Sequence, residues 1–174
     1  MRVYVPMTPA ALAAAHRAGS IEPATVYAVT PALREWYASG DDEELEYAAL
    51  SQAARASLAL LAEGNGTTSG ARRVVVACET DAGSDGAGLA EPGDAAVVLA
   101  DPVPWSAVAA VHVDAASAVP VVEAAVAAWD AAEKGDDDAV FTVDACDGEE
   151  LLWYATQEVA DLLAELQPGE HRRS

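Results

Sequence analysis

The stretch "VYVPMTPAALAAAHRAG", residues 3–19, joins a strand to a helix and indicates the class of fold. Residues 2–5 alternate as a β-branched strand does. Thr8 suits a helix N-cap, Pro9 suits the first helical position, and Gly19 suits the helix end. The stretch therefore predicts a strand that leads directly into a capped helix.

The same order returns in "VYAVTPAL", residues 26–33, with Thr30 in the place of Thr8. If the two strands run parallel, both helix N-termini lie at the same edge of the sheet. Two N-termini at one edge would attract an anion, with Tyr4 and Tyr27 as the walls of the pocket. Ordinary capping explains both threonines as well, and no glycine-rich phosphate loop accompanies them.

Farther along the chain, strand-like and helix-like patterns alternate. The predicted strands are residues 2–5, 24–29, 72–79, 95–100, 109–114, 139–145 and 150–155, and the predicted helices, caps included, are residues 8–19, 30–40, 41–63, 118–134 and 156–166. This order predicts the α/β (α+β) class, a mixed β-sheet with helices packed on its faces. A duplicated ferredoxin-like arrangement is left open.

The pattern also sets expectations about domains and loops. Residues 1–166 are expected to form a single domain and residues 167–174 a disordered tail. The glycine-rich residues 64–71 and the Gly- and Asp-rich residues 80–94 predict a flexible break and a mobile loop.

Two smaller predictions concern aromatic side chains. Asp147 and Gly148 predict a tight turn that joins residues 139–145 and 150–155 into a hairpin, and both sets of alternate side chains in the second strand are apolar. That strand is therefore expected to be covered on both faces. Trp36 and Tyr37 are expected to continue the buried stripe of their helix.

Charge is the most unusual feature of the composition. The chain has 29 acidic and nine basic residues, for a net charge of -20. A field of that sign repels phosphate backbones and anionic lipids, so we expect neither nucleic-acid nor membrane binding. It fits a basic protein partner, a cation, or solubility alone. Pro6 and Pro9 interrupt the stretch that most resembles a signal peptide, and the protein is expected to be cytoplasmic.

Glu46 raises the sharpest question about a catalytic acid. It falls within the apolar arc of the helix that begins with "DDEELEYAAL", residues 41–50. A carboxylate there would have a raised pKa and act as a general acid or base. It also lies near the helix start, where the helix dipole favours acidic residues. We therefore favour a structural role for Glu46.

Other candidate groups are weaker. His112 and Asp114 lie two apart on a strand and share one face, as proton-transfer groups or metal ligands do, but no third ligand follows. A further acidic group could bind a divalent cation but does not match a calcium-binding loop: residues 136–138, Asp144, Asp147, Glu149 and Glu150. Nucleophile elbows, zinc motifs and Rossmann glycines are missing. We therefore assign no catalytic residue, no metal and no cofactor.

Four segments carry a resemblance to a known family: "MRVYVPMTPAALAAAH", "AVTPALREWY" with "DDEELEYAAL", "AVHVD", and "FTVDACDGEELLWYATQEV". In these segments the chain resembles small acidic proteins of high-GC bacteria that carry a domain of unknown function. The resemblance implies that the whole chain acts as one unit. It implies no activity and no site.

The sequence thus favours a non-catalytic interaction or regulatory domain whose acidic surface meets a protein partner, with a basic partner surface as one option. The alternative is a small-molecule-binding protein or an enzyme with a site near the Thr8 and Thr30 caps. Tyr4, Tyr27, Glu46, His112 and Asp114 are its further candidate residues.

Overall fold

The computed structural model describes residues 1–22, 24–37, 39–64, 70–80 and 93–166. The strands in these ranges are β1 (Arg2–Met7), β2 (Ser20–Ile21), β3 (Thr25–Tyr27), β4 (Val74–Glu79), β5 (Ala96–Val98), β6 (Val103–Pro104), β7 (Val108–Asp114) and β8 (Leu151–Ala155). The helices are α1 (Pro9–Ala18), α2 (Pro31–Trp36), α3 (Asp42–Glu63), α4 (Val119–Glu133), α5 (Asp137–Asp144) and α6 (Val159–Leu166).

Six of these strands form one sheet in the order β5-β3-β1-β4-β7-β8, and β2 pairs separately with β6. Each pairing in the larger sheet is antiparallel. Helices cover both faces, which confirms the predicted α+β class with helices on a sheet. The continuous β-branched run Val74, Val75 and Val76 lies fully buried near the middle of the sheet, as such runs do when both faces are covered.

The two faces of the sheet pack against different helices. Val3 and Val5 point to the face covered by α1 and α6. Tyr4 and Ala77 point to the opposite face, which we call the α3 face because α3 packs on it. A further cluster, which includes Leu58, joins α3 to α4 and α5. The core is therefore divided by the sheet and extended by helix-on-helix packing.

The helix starts follow the predicted capping chemistry. Thr8 Oγ1 accepts a hydrogen bond from Ala11 N at 3.1 Å, and Thr30 Oγ1 accepts one from Leu33 N at 3.1 Å. Gly19 ends α1 in the left-handed conformation, with φ 79°. Both predicted caps are confirmed.

The two caps do not share an edge, however. Because β1 and β3 are antiparallel, with Tyr4 opposite Tyr27, Thr8 and Thr30 follow strand ends at opposite sides of the sheet. The parallel arrangement considered from the sequence is corrected by this pairing. In the split βαβ unit of a ferredoxin-like half, β1 and β3 would be parallel around a third strand, whereas here they are antiparallel neighbours.

The prediction of a strand at residues 139–145 is wrong, because residues 139–144 lie in α5 and Ala145 begins a 3-10 turn. Asp136 caps the helix by accepting a hydrogen bond from Ala139 N at 3.0 Å. Asp137 and Asp138 occupy the first turn, where the helix dipole favours acidic residues. The helix buries Ala139 while Phe141, two positions on, is 79% exposed. The predicted hairpin is therefore replaced by a short 3-10 turn.

Several aromatic side chains are less buried than the sequence suggested. Trp36 and Tyr37 are 64% and 43% exposed, so they do not continue the buried stripe of α2. β8 is not covered on both faces, since Leu152 and Trp153 are 45% and 62% exposed. The reason is that β8 is the last strand of the sheet.

Some predictions remain untested. The flexible break and the mobile loop lie mainly in residues 65–69 and 81–92, outside the described residues, and so does the tail at 167–174. The single domain at residues 1–166 stays a prediction.

Candidate functional site

A pocket of about 300 Å³ opens between α3, β8 and the turn that precedes β8. We call it the edge pocket. Its walls are apolar and aromatic, and its rim is acidic. The walls include Tyr47, Leu50, Leu151 and Trp153, and the rim carries Asp147, Glu149 and Glu150.

Local structure explains why these side chains meet. Tyr47 and Leu50 are three apart on α3, so they lie on the same side of the helix and line the pocket together. Leu151 and Trp153 are two apart on β8 and therefore share the α3 face. Because no strand in the described ranges pairs with the outer side of β8, both Tyr47 and Trp153 stay accessible, at 59% and 62% exposure.

A buried ion pair closes one wall of the edge pocket. Both Oδ atoms of Asp114 accept hydrogen bonds from Arg73, at 2.9 Å from Nε and 2.7 Å from Nη2, and Oδ2 also accepts one from the backbone N of Arg73 at 2.7 Å. Burial acts to lower the pKa of Arg73, but the hydrogen bond and the charge of Asp114 outweigh it, so that pKa is raised. The guanidinium therefore stays protonated, and its positive charge is balanced by the carboxylate of Asp114.

Arg73 also fixes the acidic rim. Its Nη2 donates to the carbonyl oxygen of Glu149 at 3.0 Å, in the turn before β8. A single side chain therefore ties the start of β4, the end of β7 and the rim together.

His112 lies in the edge pocket as a neutral imidazole. Burial lowers the pKa of His112, and the positive charge of Arg2 lowers it further. Its ring lies 6.5 Å from that of Tyr4, edge to face, and opposite Trp153 across the strand pair. The group offers one hydrogen-bond donor and one acceptor at neutral pH.

An acidic groove of about 990 Å³ adjoins the edge pocket along the start of α3. Asp41, Glu43 and Glu44 line it. The cation beside it, Arg55, is already engaged, because Nη1 lies 3.1 Å from Asp144 Oδ1 and 3.3 Å from Oδ2 of the rim residue Asp147. The surface around the pocket is therefore negative.

The residues selected from the sequence occupy several places. Tyr4 and Tyr27 are cross-strand partners on the α3 face, where burial raises the pKa of each. Glu46 lies close enough to Tyr4 for its charge to raise that pKa further, yet it does not line the edge pocket. His112 does line it, whereas the carboxylate of Asp114 is engaged in the buried ion pair with Arg73.

Thr8 and Thr30 are engaged in structure at opposite ends of the sheet. Besides capping α2, Thr30 Oγ1 donates to the carbonyl oxygen of Asp94 at 2.7 Å. The sequence did not predict that Tyr47 and Trp153 would meet the acidic turn. The available signal was weak: an apolar strand next to a "DGEE" turn, residues 147–150.

Comparisons with known proteins add a family and no activity. Residues 1–163 match the Family of unknown function (DUF6912). The chain belongs to that family. This confirms the prediction of a family of unknown function, while the acidity of the family and its origin in high-GC bacteria stay predictions. Neither the curated proteins nor the solved structures gave a match.

Two features of the described residues concern membrane-spanning helices and metal ligands. Within the described ranges, no helix combines the length and apolar character needed to cross a membrane. No group of three or more His, Cys, Asp or Glu residues in the same ranges is arranged to hold a metal ion.

Proposed function

We propose that this member of the DUF6912 family is a non-catalytic interaction domain that binds a basic segment of a protein partner at the edge pocket. The observation that carries the proposal is the pairing of two exposed aromatic side chains, Tyr47 and Trp153, with the rim carboxylates Glu149 and Glu150. Exposed aromatics beside acids are a typical surface for lysine or arginine.

The chemistry of the pocket suits a long basic side chain. Its aliphatic stem would pack against Leu50 and Leu151, and its charged head would reach the rim. A cation over the face of Trp153 gains about 0.5–2 kcal/mol, depending on how far it is desolvated. Hydrogen bonds from the head to a carboxylate are charge-assisted and stronger than neutral ones.

Long-range charge supports the same partner. With a net charge of -20, the protein attracts basic molecules and repels acidic ones before contact. Such attraction mainly raises the association rate and gives little selectivity. Selectivity would come from the edge pocket. The positive charge of Arg73 in its wall is balanced by Asp114, so it does not repel a basic side chain that reaches the rim carboxylates.

The test is the binding of a fluorescein-labelled peptide with alternating lysine and valine residues, measured by fluorescence anisotropy in 150 mM salt. We expect Trp153→Ala, and separately the pair Glu149→Gln and Glu150→Gln, to weaken binding at least tenfold, or about 1.4 kcal/mol.

The matched control pair is Asp130→Asn with Glu133→Gln. Both residues are exposed on α4 and line neither the edge pocket nor the acidic groove. This pair removes the same two charges as the rim pair. If the control weakens binding as much as the rim variants, the attraction is general to the acidic surface and the proposed site is wrong.

A small-molecule ligand or substrate is the second candidate, favoured by the neutral His112 within the pocket. About 300 Å³ is the lower end of the range for ligand pockets. One ligand could not contact both the Thr8 and the Thr30 caps, since the caps lie at opposite ends of the sheet. A melting temperature that rises with a small amine such as agmatine, but not with the peptide, would favour this candidate.

A further inference from the structure

We infer that the partner segment binds as an extended strand added to the outer edge of β8, an inference that rests on the proposed function. β8 is the last strand of the six-stranded sheet, and its residues Leu152 and Trp153 are substantially exposed. A strand at the end of a sheet presents unpaired backbone groups that another chain can pair with.

One hydrogen bond shows which backbone groups of β8 point away from β7. In an antiparallel strand, the N–H and C=O of alternate residues point to the same side. Ala155 N donates to Glu158 Oε2 at 2.7 Å, so the N–H of Ala155 points away from β7. By alternation the N–H and C=O of Leu151 and Trp153 also point outward, while those of Leu152 and Tyr154 face β7.

The outward backbone groups belong to the same residues that line the edge pocket. Leu151 and Trp153 place their side chains in its wall. Directly opposite residues in an antiparallel pair have their side chains on the same face. A partner residue that exchanges backbone hydrogen bonds with Trp153 would therefore aim its own side chain at the pocket and its acidic rim.

The neighbouring partner residues would meet a different surface. Side chains alternate between faces, so residues on either side of the basic one would lie beside Leu152 and Tyr154 on the other face. Leu152 is exposed, and Tyr154 packs against the core beneath α1 and α6. The ligand class is therefore an extended peptide in which basic residues alternate with apolar ones.

Charge favours such a peptide over a second copy of this chain. Two β8 strands paired antiparallel about Trp153 would place Glu150 opposite Thr156 and Glu149 opposite Gln157. The acidic turn of one copy would then lie beside Glu158 of the other, in two molecules that each carry a net charge of -20. A basic strand turns the same contacts into attractions.

Glu158 also limits where the added strand ends. Its carboxylate already accepts a hydrogen bond from the outward N–H of Ala155, so pairing with the added strand stops before that residue. Natural sheets protect their edges with charged side chains in this way. Among the described residues, the part of this edge that no other strand pairs with lies beside the edge pocket.

The decisive experiment uses three versions of the lysine–valine peptide with the intact protein. In the bound strand, the lysine N–H groups would donate to β8 and the valine N–H groups would point away from it. We expect N-methylation of the lysine backbone nitrogens to weaken binding at least tenfold and N-methylation of the valine nitrogens to weaken it less than threefold. Both modified peptides keep the side chains and the net charge of the parent.

The outcomes separate this inference from the proposed function. If both N-methylated peptides bind like the parent, and Trp153→Ala still weakens binding, the pocket stands and strand addition is overturned. If the parent peptide does not bind at all, both fall. A dimer of the free protein that Leu151→Pro converts to a monomer would show that a second copy occupies the edge, which overturns the inference.

A direct readout supports the same distinction. Amide hydrogen exchange followed by NMR should show the N–H of Trp153 protected at least tenfold on binding. Leu152, whose N–H already pairs with β7, should change little. Equal exchange at Trp153 with and without peptide would count against strand addition.

Discussion

Removing the charge of Asp114 should cost the protein a large share of its stability. The side chains of Asp114 and Arg73 are 0% and 3% exposed, so neither charge reaches water. Asp114→Asn keeps the shape of the side chain and removes its charge. One carboxylate oxygen that accepts from the guanidinium becomes an NH2 group, which places a donor against a donor.

The size of the loss follows from the guanidinium that remains. Breaking a buried ion pair by removing one partner costs about 3–5 kcal/mol, because the other charge is left buried and uncompensated. Proteins of this size have a free energy of unfolding of about 5–15 kcal/mol. We expect Asp114→Asn to lower it by about 3–5 kcal/mol, measured by urea denaturation at pH 7 with far-UV circular dichroism.

An exposed ion pair provides the control. Arg34 and Asp42 lie 3.3 Å apart, with side chains 57% and 80% exposed. Asp42→Asn should therefore cost less than about 1 kcal/mol. A loss for Asp114→Asn no larger than this would refute the reasoning, because it would mean that water or another group compensates Arg73.

A double variant separates charge from packing. Arg73→Met with Asp114→Leu removes both charges and keeps much of the volume. Replacing a whole buried pair by apolar groups is often neutral or stabilising. We expect the double variant to recover only part of the stability lost in Asp114→Asn, because the buried backbone N–H of Arg73 loses its acceptor and the carbonyl oxygen of Glu149 loses its donor.

Two further predictions concern His112, on the α3 face of the sheet, and Glu46, on α3 itself. Because burial lowers the pKa of His112, the unfolded chain takes up a proton there more readily, so this residue makes stability fall as the pH drops below about 6.5 towards the lowered pKa. His112→Gln should flatten the fall in Tm between pH 7.5 and 5, and an unchanged Tm profile would contradict the assignment. Glu46→Gln should change the free energy of unfolding by less than about 1 kcal/mol. A loss of several kcal/mol in urea denaturation would instead indicate a buried, engaged acid.

Local chemistry made much of the fold predictable. Thr8 and Thr30 precede prolines, and Gly19 follows a helix, so both helix starts and the end of α1 could be predicted from capping alone. The predicted end of the second helix at residue 40 is wrong, because α2 ends at Trp36. The valine run of β4 marked a buried strand. The α5 error arose because the alternation in residues 139–145 outweighed three aspartates that mark a helix start.

Tertiary arrangement was beyond such reasoning. Nothing in β1 or β3 taken alone shows that they pair antiparallel, which separates the two caps. The exposure of Trp153 depends on β8 being the last strand, and strand order is not encoded in any short pattern. The sequence therefore did not predict the candidate site as a unit, although it had drawn attention to the acidic residues Asp147, Glu149 and Glu150.

The buried pair shows why Asp114 is not the carboxylate that meets a ligand. Each of its oxygens accepts from Arg73, and its side chain has no contact with solvent. Asp114 instead orients the guanidinium of Arg73. Arg73 then donates to the carbonyl oxygen of Glu149 and so positions the rim. In the proposed binding mode, Glu149 and Glu150 are the carboxylates that contact the ligand. In a folded Asp114→Asn variant, weaker peptide binding together with lower stability is therefore the expected combination.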